Sequence, residues 1–217
     1  MQIAIGLYPG LTMLDAIGPY QVFTNTPGVD VVVCAAERGR LSDDNGLLHL
    51  GIEHTCDEVP SPDVTLVPGG FVTRRLARDR DPIVGWLADT HARTTFTTSV
   101  CTGALLLGAA GLLDGLDATT HWCAYDELAS YGARPTEQRV VRQGKIWTAA
   151  GGSAGIDLAL TLVAELFGPE MSQAVQLGIE YDPQPPFDSG SPSKADPAIV
   201  ELVRAVSDAQ VDPADVA

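Results

Sequence analysis

Four short runs of apolar and β-branched residues, spaced by helical patterns, constrain what this chain can fold into more than any other feature. They are residues 3–8 (IAIGLY), 29–35 (VDVVVCA), 64–67 (VTLV) and 94–100 (TTFTTSV). A strand that buries one face alternates apolar and polar residues; runs with so little alternation belong to strands covered on both faces. Helical patterns over residues 11–24, 82–91, 102–110, 122–131 and 155–167 separate and follow them. Strand and helix in alternation predict a parallel sheet with helices on both sides. In the first helix, Leu14, Ile17, Val22 and Phe23 read as the apolar face. Residues 41–52 read as a hairpin turning at Asp44-Asn45-Gly46. Residues 181–192 hold four prolines and read as a loop before a last helix at 197–209. The tail at 211–217 is expected to fray. No composition shift marks a boundary, so residues 1–217 are expected to form one domain.

Composition narrows the function classes. At 217 residues and 45% hydrophobic, the chain can bury a core without cross-links. Lys and Arg number 13 against 28 Asp and Glu, a formal net charge of −15. Nucleic acid is therefore not an expected partner, because binding it draws on phosphate neutralisation. No apolar run has the length of a membrane span, so no membrane association is expected. The start MQIAIGLYPG lacks the basic region of a signal peptide. Cys34, Cys56, Cys101 and Cys123 form no CxxC motif and read as reduced thiols of a cytoplasmic protein.

Three segments could carry chemistry. In Ser99-Val100-Cys101-Thr102-Gly103-Ala104 a strand runs into a cysteine and a helix follows at once. That is the shape of a nucleophile elbow, at the carboxyl end of a parallel strand, where such sheets bind ligands. A helix N-terminus beside Cys101 would favour its thiolate, although a buried core cysteine fits the segment as well. Pro68-Gly69-Gly70 ends the third strand, and its backbone N–H groups could form a nest for developing negative charge; alone, it is an ordinary tight turn. Asp15 stands among apolar neighbours, either capping a helix or aiming a carboxyl of raised pKa into a site. His121 and Cys123 are two candidate metal ligands, too few for a site. His49 and His54 fall in the hairpin and read as exposed. Arg74, Arg75, Arg78 and Arg80 read as a solvated helix face. The segment Gly151-Gly152-Ser153-Ala154-Gly155 lacks the context of a phosphate loop.

Taken together, LYPGLTMLDAIGPYQVF (7–23), VPGGF (67–71), TSVCTGALLLGAAGLLDG (98–115), ATTHW (118–122), RVVRQGKIWTAAGGSAGIDLALTLVAELFG (139–168) and VQLGIEYDPQPPFDSGSP (175–192) resemble the PfpI-like branch of the class I glutamine amidotransferase-like superfamily. The resemblance covers most of the chain and is most specific to the isonitrile-hydrating members of that branch. It implies a flavodoxin-like parallel sheet sandwiched between helices, usually in a homodimer. It implies hydration of an isonitrile, R–N≡C, to the N-substituted formamide, a lyase reaction needing no metal or organic cofactor. Carried over by motif, Cys101 is the nucleophile, Asp15 the acid and base, and Thr102 their polar neighbour. Gly69 and Gly70 fall where backbone donors are expected, with His121 nearby. The chemistry fits that assignment: a protonated Asp15 supplies the isonitrile carbon with its proton, Cys101 attacks to give a thioimidate, and water displaces the sulfur.

Proteolytic members of this branch carry His directly after the elbow cysteine; here Thr102 stands there, and a Cys–His dyad is not supported. The deglycase group uses a Glu near its thiol, one methylene longer than Asp15. Two other readings remain open. The domain also resembles the ligand-sensing half of AraC-type regulators, although no basic helix-turn-helix segment accompanies it here. An elbow thiol of low pKa could alternatively serve redox or stress sensing.

Overall fold

The computed structural model describes residues 1–211; all but the first residue of the tail expected to fray lies outside it. In chain order the elements are β1 (Gln2–Leu7), α1 (Met13–Thr24), β2 (Asp30–Ala35), β3 (Gly39–Ser42), β4 (His49–Ile52), β5 (His54–Thr55), β6 (Val64–Val67), α2 (Thr73–Arg78) and α3 (Pro82–His91). There follow β7 (Phe96–Val100), α4 (Gly103–Ala109), β8 (Asp117–Ala118), α5 (Tyr125–Ser130), β9 (Arg134–Pro135), β10 (Val140–Gln143) and β11 (Ile146–Ala149). The last are α6 (Ala154–Phe167), α7 (Pro169–Gly178) and α8 (Pro197–Gln210).

The main sheet has the order β10-β11-β7-β6-β1-β2-β5. Its pairs are parallel from β11 to β5, in registers such as Ile5↔Val33, Ile5↔Leu66 and Val67↔Ser99. Every residue of β6 is buried, as are all but the first of β1 and β7. The near-continuous apolar runs thus sit at the centre, covered on both faces. The helices pack in two groups, α1 with α6 and α7, and α4 with α2, α3 and α5. From β1 the strand order runs outward in both directions, to β2 on one side and β6 on the other. That reversal opens a crevice at the carboxyl ends of β1, β6 and β7, the usual ligand position in open α/β sheets.

The structure departs from the sequence reading in three places. The sheet is mixed: β10 and β11 form an antiparallel hairpin on one edge, a pair not foreseen as strands. Helix α7 was likewise not foreseen; Pro169 starts it and Gly168 precedes it at φ +93°. In α1 the buried face comprises Asp15, Ala16, Gly18, Pro19, Val22 and Phe23, whereas Leu14 is 48% and Ile17 37% exposed. The cause is close helix packing. A Cβ on Gly18 would approach Ile156 of α6 to 3.0 Å, and one on Gly155 would approach Pro19 to 3.0 Å. Small residues, not the largest apolar ones, let these helices meet. The hairpin expected at 41–52 is present as β3 and β4, with His49 and His54 exposed. Asp81 and Asp196 cap α3 and α8 by accepting from Ile83 N at 3.0 Å and Ala198 N at 2.8 Å.

Candidate active site

Cys101 stands between β7 and α4 with φ +56°, a left-handed conformation rare for a residue with a side chain. Such strain costs on the order of 1–3 kcal/mol and persists only where neighbours over-determine the backbone. Here they do. Cys101 N–H donates to the carbonyls of Ala149 and Ala150 at 3.1 and 2.9 Å, and Thr120 Oγ1 donates to the Cys101 carbonyl at 2.9 Å. The strand-to-helix elbow read from the sequence is therefore present.

The loop after β6 meets this elbow without room to spare. A Cβ on Gly69 would lie 2.6 Å from Thr102 N, 2.8 Å from Asp15 Oδ2 and 2.8 Å from Cys101 Cβ. Thr12 N–H donates to Gly69 O at 2.9 Å, which fixes the start of α1 against the same loop. Asp15, in the first turn of α1, is thereby carried wholly inside the protein. Its Oδ2 accepts from Gly69 N–H at 3.0 Å, while Oδ1 has no hydrogen-bond partner among the described residues. Burial lifts its pKa from 3.8 to about 7, against the opposing pull of Gly69 N–H, the Cys101 thiol and Gly152 N–H. Asp15 is thus a carboxyl that holds a proton near neutral pH. Oδ2 is held by the Gly69 N–H, which leaves Oδ1 the freer of the two oxygens.

Two expectations about electrostatics are corrected by this geometry. The Cys101 thiol is not a thiolate of lowered pKa. Burial, and after it the charge of Asp15, push its pKa up; the N–H groups of Thr102 and Gly152 pull it down but are outweighed. Nor are the N–H groups of Gly69 and Gly70 free to form a nest for a substrate. Gly69 N–H is committed to Asp15, and Gly70 N–H donates to Thr102 Oγ1 at 3.0 Å. Thr102 in turn donates its hydroxyl proton to Gly70 O at 2.9 Å. Its hydroxyl locks the glycine loop to the elbow and has no proton left for the reacting group. The donors beside the sulfur are Thr102 N–H and Gly152 N–H instead. Gly152 lies in the glycine segment that gave no recognisable motif, and the sequence carried no signal for its role.

His121 borders the same space. Its Nδ1 accepts from Cys123 N–H at 3.3 Å, which leaves Nε2 as the protonated nitrogen. Burial and the charge of Arg74 lower its pKa, so the ring is neutral. It stacks on Trp122 with ring centroids 5.7 Å apart. Among the described residues no group of three His, Cys, Asp or Glu side chains could hold a metal ion. Tyr8, at the end of β1, donates to Pro68 O at 2.5 Å beneath the glycine loop. Its pKa is raised well above the ordinary value by burial and by the charges of Asp15 and Cys101.

The space above Cys101 is a cavity of about 350 Å³. Asp15, Cys101, Thr102, His121 and Gly152 line it, with Arg74 on one wall. Val203 and Val206 of α8 form an apolar side. Arg74 was read as part of a solvated face, yet its side chain is only 8% exposed and its Nε bonds Glu127 at 2.7 Å. A second space of about 430 Å³, between Tyr125, Arg139 and Arg204, shares His121 and Gly152 with the first.

The sequence model of the DJ-1/PfpI family matches residues 1–165. The isonitrile hydratase of Pseudomonas putida is 44% identical over 94% of this chain and 89% of that protein. The HTH-type transcriptional regulator CdhR of Pseudomonas aeruginosa is 31% identical over 81% of this chain, but over only 53% of its own length. The crystal structure of a ThiJ/PfpI family protein from Pseudomonas syringae superposes with a TM-score of 0.88 at 39% identity, covering 97% of this chain and 88% of that one.

Proposed function

The chain belongs to the DJ-1/PfpI family, and from that premise we propose that it is a lyase hydrating an isonitrile, R–N≡C, to the formamide R–NH–CHO. The observation that carries this reading is the pairing of the Cys101 thiol with a buried Asp15 carboxyl whose pKa is about 7. The likeness to an isonitrile hydratase along nearly the whole of both chains supports it.

A neutral carboxyl suits this reaction because each step requires one proton given and one taken. In the first step Asp15 donates its carboxyl proton to the isonitrile carbon. The carbon becomes electrophilic, the Cys101 sulfur attacks it, and the carboxylate takes the thiol proton. The product is the thioimidate R–N=CH–S–Cys101, with Asp15 protonated again. In the second step Asp15 protonates the imine nitrogen and accepts a proton from water as its oxygen adds to carbon, giving R–NH–CH(OH)–S–Cys101. In the third step the C–S bond breaks. The sulfur takes the Asp15 proton, the hydroxyl proton returns to the carboxylate, and R–NH–CHO departs. General acid–base work of this kind typically contributes roughly 10²–10⁴-fold, and the covalent intermediate divides the remaining barrier. Thr102 N–H and Gly152 N–H stabilise charge on sulfur. Thr102 Oγ1 acts through position, holding the loop that presents Gly69 to Asp15.

The same reading makes residues 1–217 one domain. Beyond the family match, Ser172 of α7 donates to Leu160 O of α6 at 2.7 Å, and α8 walls the cavity. We place the protein in the cytoplasm as a homodimer. The four cysteines are unbridged, which suits a reducing compartment. Leu14, Ile17 and Tyr20 form an exposed apolar stripe on α1, of the kind that marks an interface. The test is formation of N-cyclohexylformamide from cyclohexyl isocyanide. Wild type is expected to form it and Cys101→Ala to form none above background; equal rates in both would refute the mechanism.

A further inference from the structure

We propose that the preferred substrates are isonitriles bearing a carboxylate, and that Arg74 selects them. The inference rests on the hydratase reading and concerns what the substituent R carries. Arg74 lines the Cys101 cavity, although 92% of its side-chain surface is covered, the complement of the 8% that is exposed. Its sole hydrogen bond among the described residues joins Nε to Glu127 Oε1 at 2.7 Å. A guanidinium carries five N–H donors in a planar fork. Four of them, on the two terminal nitrogens, therefore have no partner among the described residues, and neither nitrogen is sealed from water-sized space. A cation so far withdrawn from bulk water, on the wall of the reaction cavity and with both terminal nitrogens unbonded among the described residues, is an unfilled seat for a group of matching geometry. A carboxylate accepts two parallel N–H bonds from such a fork.

A second donor points the same way. His121 is neutral, its Nδ1 is engaged by Cys123 N–H, its Nε2–H makes no hydrogen bond among the described residues, and the residue lines the same cavity. The charge of Arg74 helps to depress the His121 pKa, so the two groups are neighbours in electrostatic terms. The opposing charges are Glu127, which fills only the Nε side of the fork, and two cavity carboxyls. Asp44 is tied to Thr12 Oγ1 at 2.7 Å, and Asp15 is protonated below about pH 7. A substrate anion would keep Asp15 protonated further up the pH scale, the form the reaction uses. For a substrate such as isocyanoacetate, addition of water across the terminal carbon gives N-formylglycine, so the products of this class are N-formyl amino acids.

The experiment compares kcat/KM for isocyanoacetate and its methyl ester, with cyclohexyl isocyanide as reference, in wild type, Arg74→Lys and Arg74→Gln. Wild type is expected to favour the acid over the ester by about ten- to a hundredfold, the range of one charge-assisted pair. The ratio is expected to fall to about one or below in Arg74→Gln and to lie between in Arg74→Lys. A wild-type ratio at or below one, or a ratio unchanged in Arg74→Gln, overturns the inference. Should Arg74→Gln not fold, wild type alone decides: N-formylglycine is expected to inhibit more strongly than its methyl ester, and equal inhibition overturns the inference. Turnover of cyclohexyl isocyanide without preference for the acid defeats this inference alone; no turnover of any isonitrile defeats the hydratase reading and this inference with it.

Discussion

Replacing Asp15 by Asn is expected to change the way stability depends on pH, by an amount that follows from one buried group. The Asp15 pKa is about 7 in the folded protein against 3.8 for an ordinary carboxyl, and the side chain is fully buried. Between those values the native state holds a proton that the unfolded chain releases, so stability falls as pH rises. The contribution is fully present below pH 3.8 and lost once pH passes 7. The difference between 3.8 and about 7 corresponds to about 4 kcal/mol. About half to two thirds of it falls between pH 5 and pH 8, or about 2–3 kcal/mol. Asn cannot titrate, and every other ionisable group is common to both proteins. The difference in unfolding free energy between Asp15→Asn and wild type therefore isolates this term. The variant is expected to gain about 2–3 kcal/mol on wild type as pH is raised from 5 to 8. For a chain of this size that widens the gap in Tm by about 5–10 °C. Urea or thermal unfolding of both proteins at a series of pH values provides the assay. Curves that run parallel between pH 5 and pH 8 would refute the raised pKa and, with it, the idea of a carboxyl held neutral for catalysis.

Three further outcomes follow from the same geometry. Because the reaction uses protonated Asp15, kcat/KM for an uncharged isonitrile is expected to decline above about pH 7, approaching tenfold per unit; a profile flat to pH 9 would contradict this. Thr102→Val keeps the shape of the side chain but removes both bonds to Gly70, leaving the buried Gly70 N–H without a partner, while Gly70 O keeps its bonds from Thr73 Oγ1 and N–H. A loss of about 1–3 kcal/mol in urea unfolding is expected, with a fall in kcat as the loop carrying Gly69 loosens; unchanged stability and kcat would show that the clamp is dispensable. Ile17→Glu places a charge in the exposed stripe of α1 and is expected to convert a dimer in light scattering into a monomer, whereas a wild type already monomeric would remove the dimer proposal.

The chain's pattern was sufficient to place the central strands; for Cys101 it left a core cysteine open and for Asp15 a helix cap, and the family resemblance chose between them. Apolar runs without alternation have one stable destination in a domain of this kind, and β1, β6 and β7 lie where they predict. Cys101 was legible because a strand, a small-residue turn and a helix in immediate succession leave few backbone paths. What the pattern did not reveal depended on contacts between segments far apart in the chain. Gly18 and Gly155 show it for packing: α1 turns Leu14 and Ile17 outward because helices approach through their smallest residues, which hydrophobic periodicity does not weigh. Gly69 and Gly70 show it for chemistry. Their N–H groups were visible as donors, but only the fold reveals that Asp15 and Thr102 have already taken them. Arg74 belongs to a polar run that reads as solvated, and it became a cavity wall because Glu127, 53 residues on, folds against it. The protonation states were decided the same way. Sequence supplies a cysteine at a helix start and an aspartate among apolar neighbours; the low dielectric that keeps both protonated arises only when β1, β6, β7, α1 and α8 close around them.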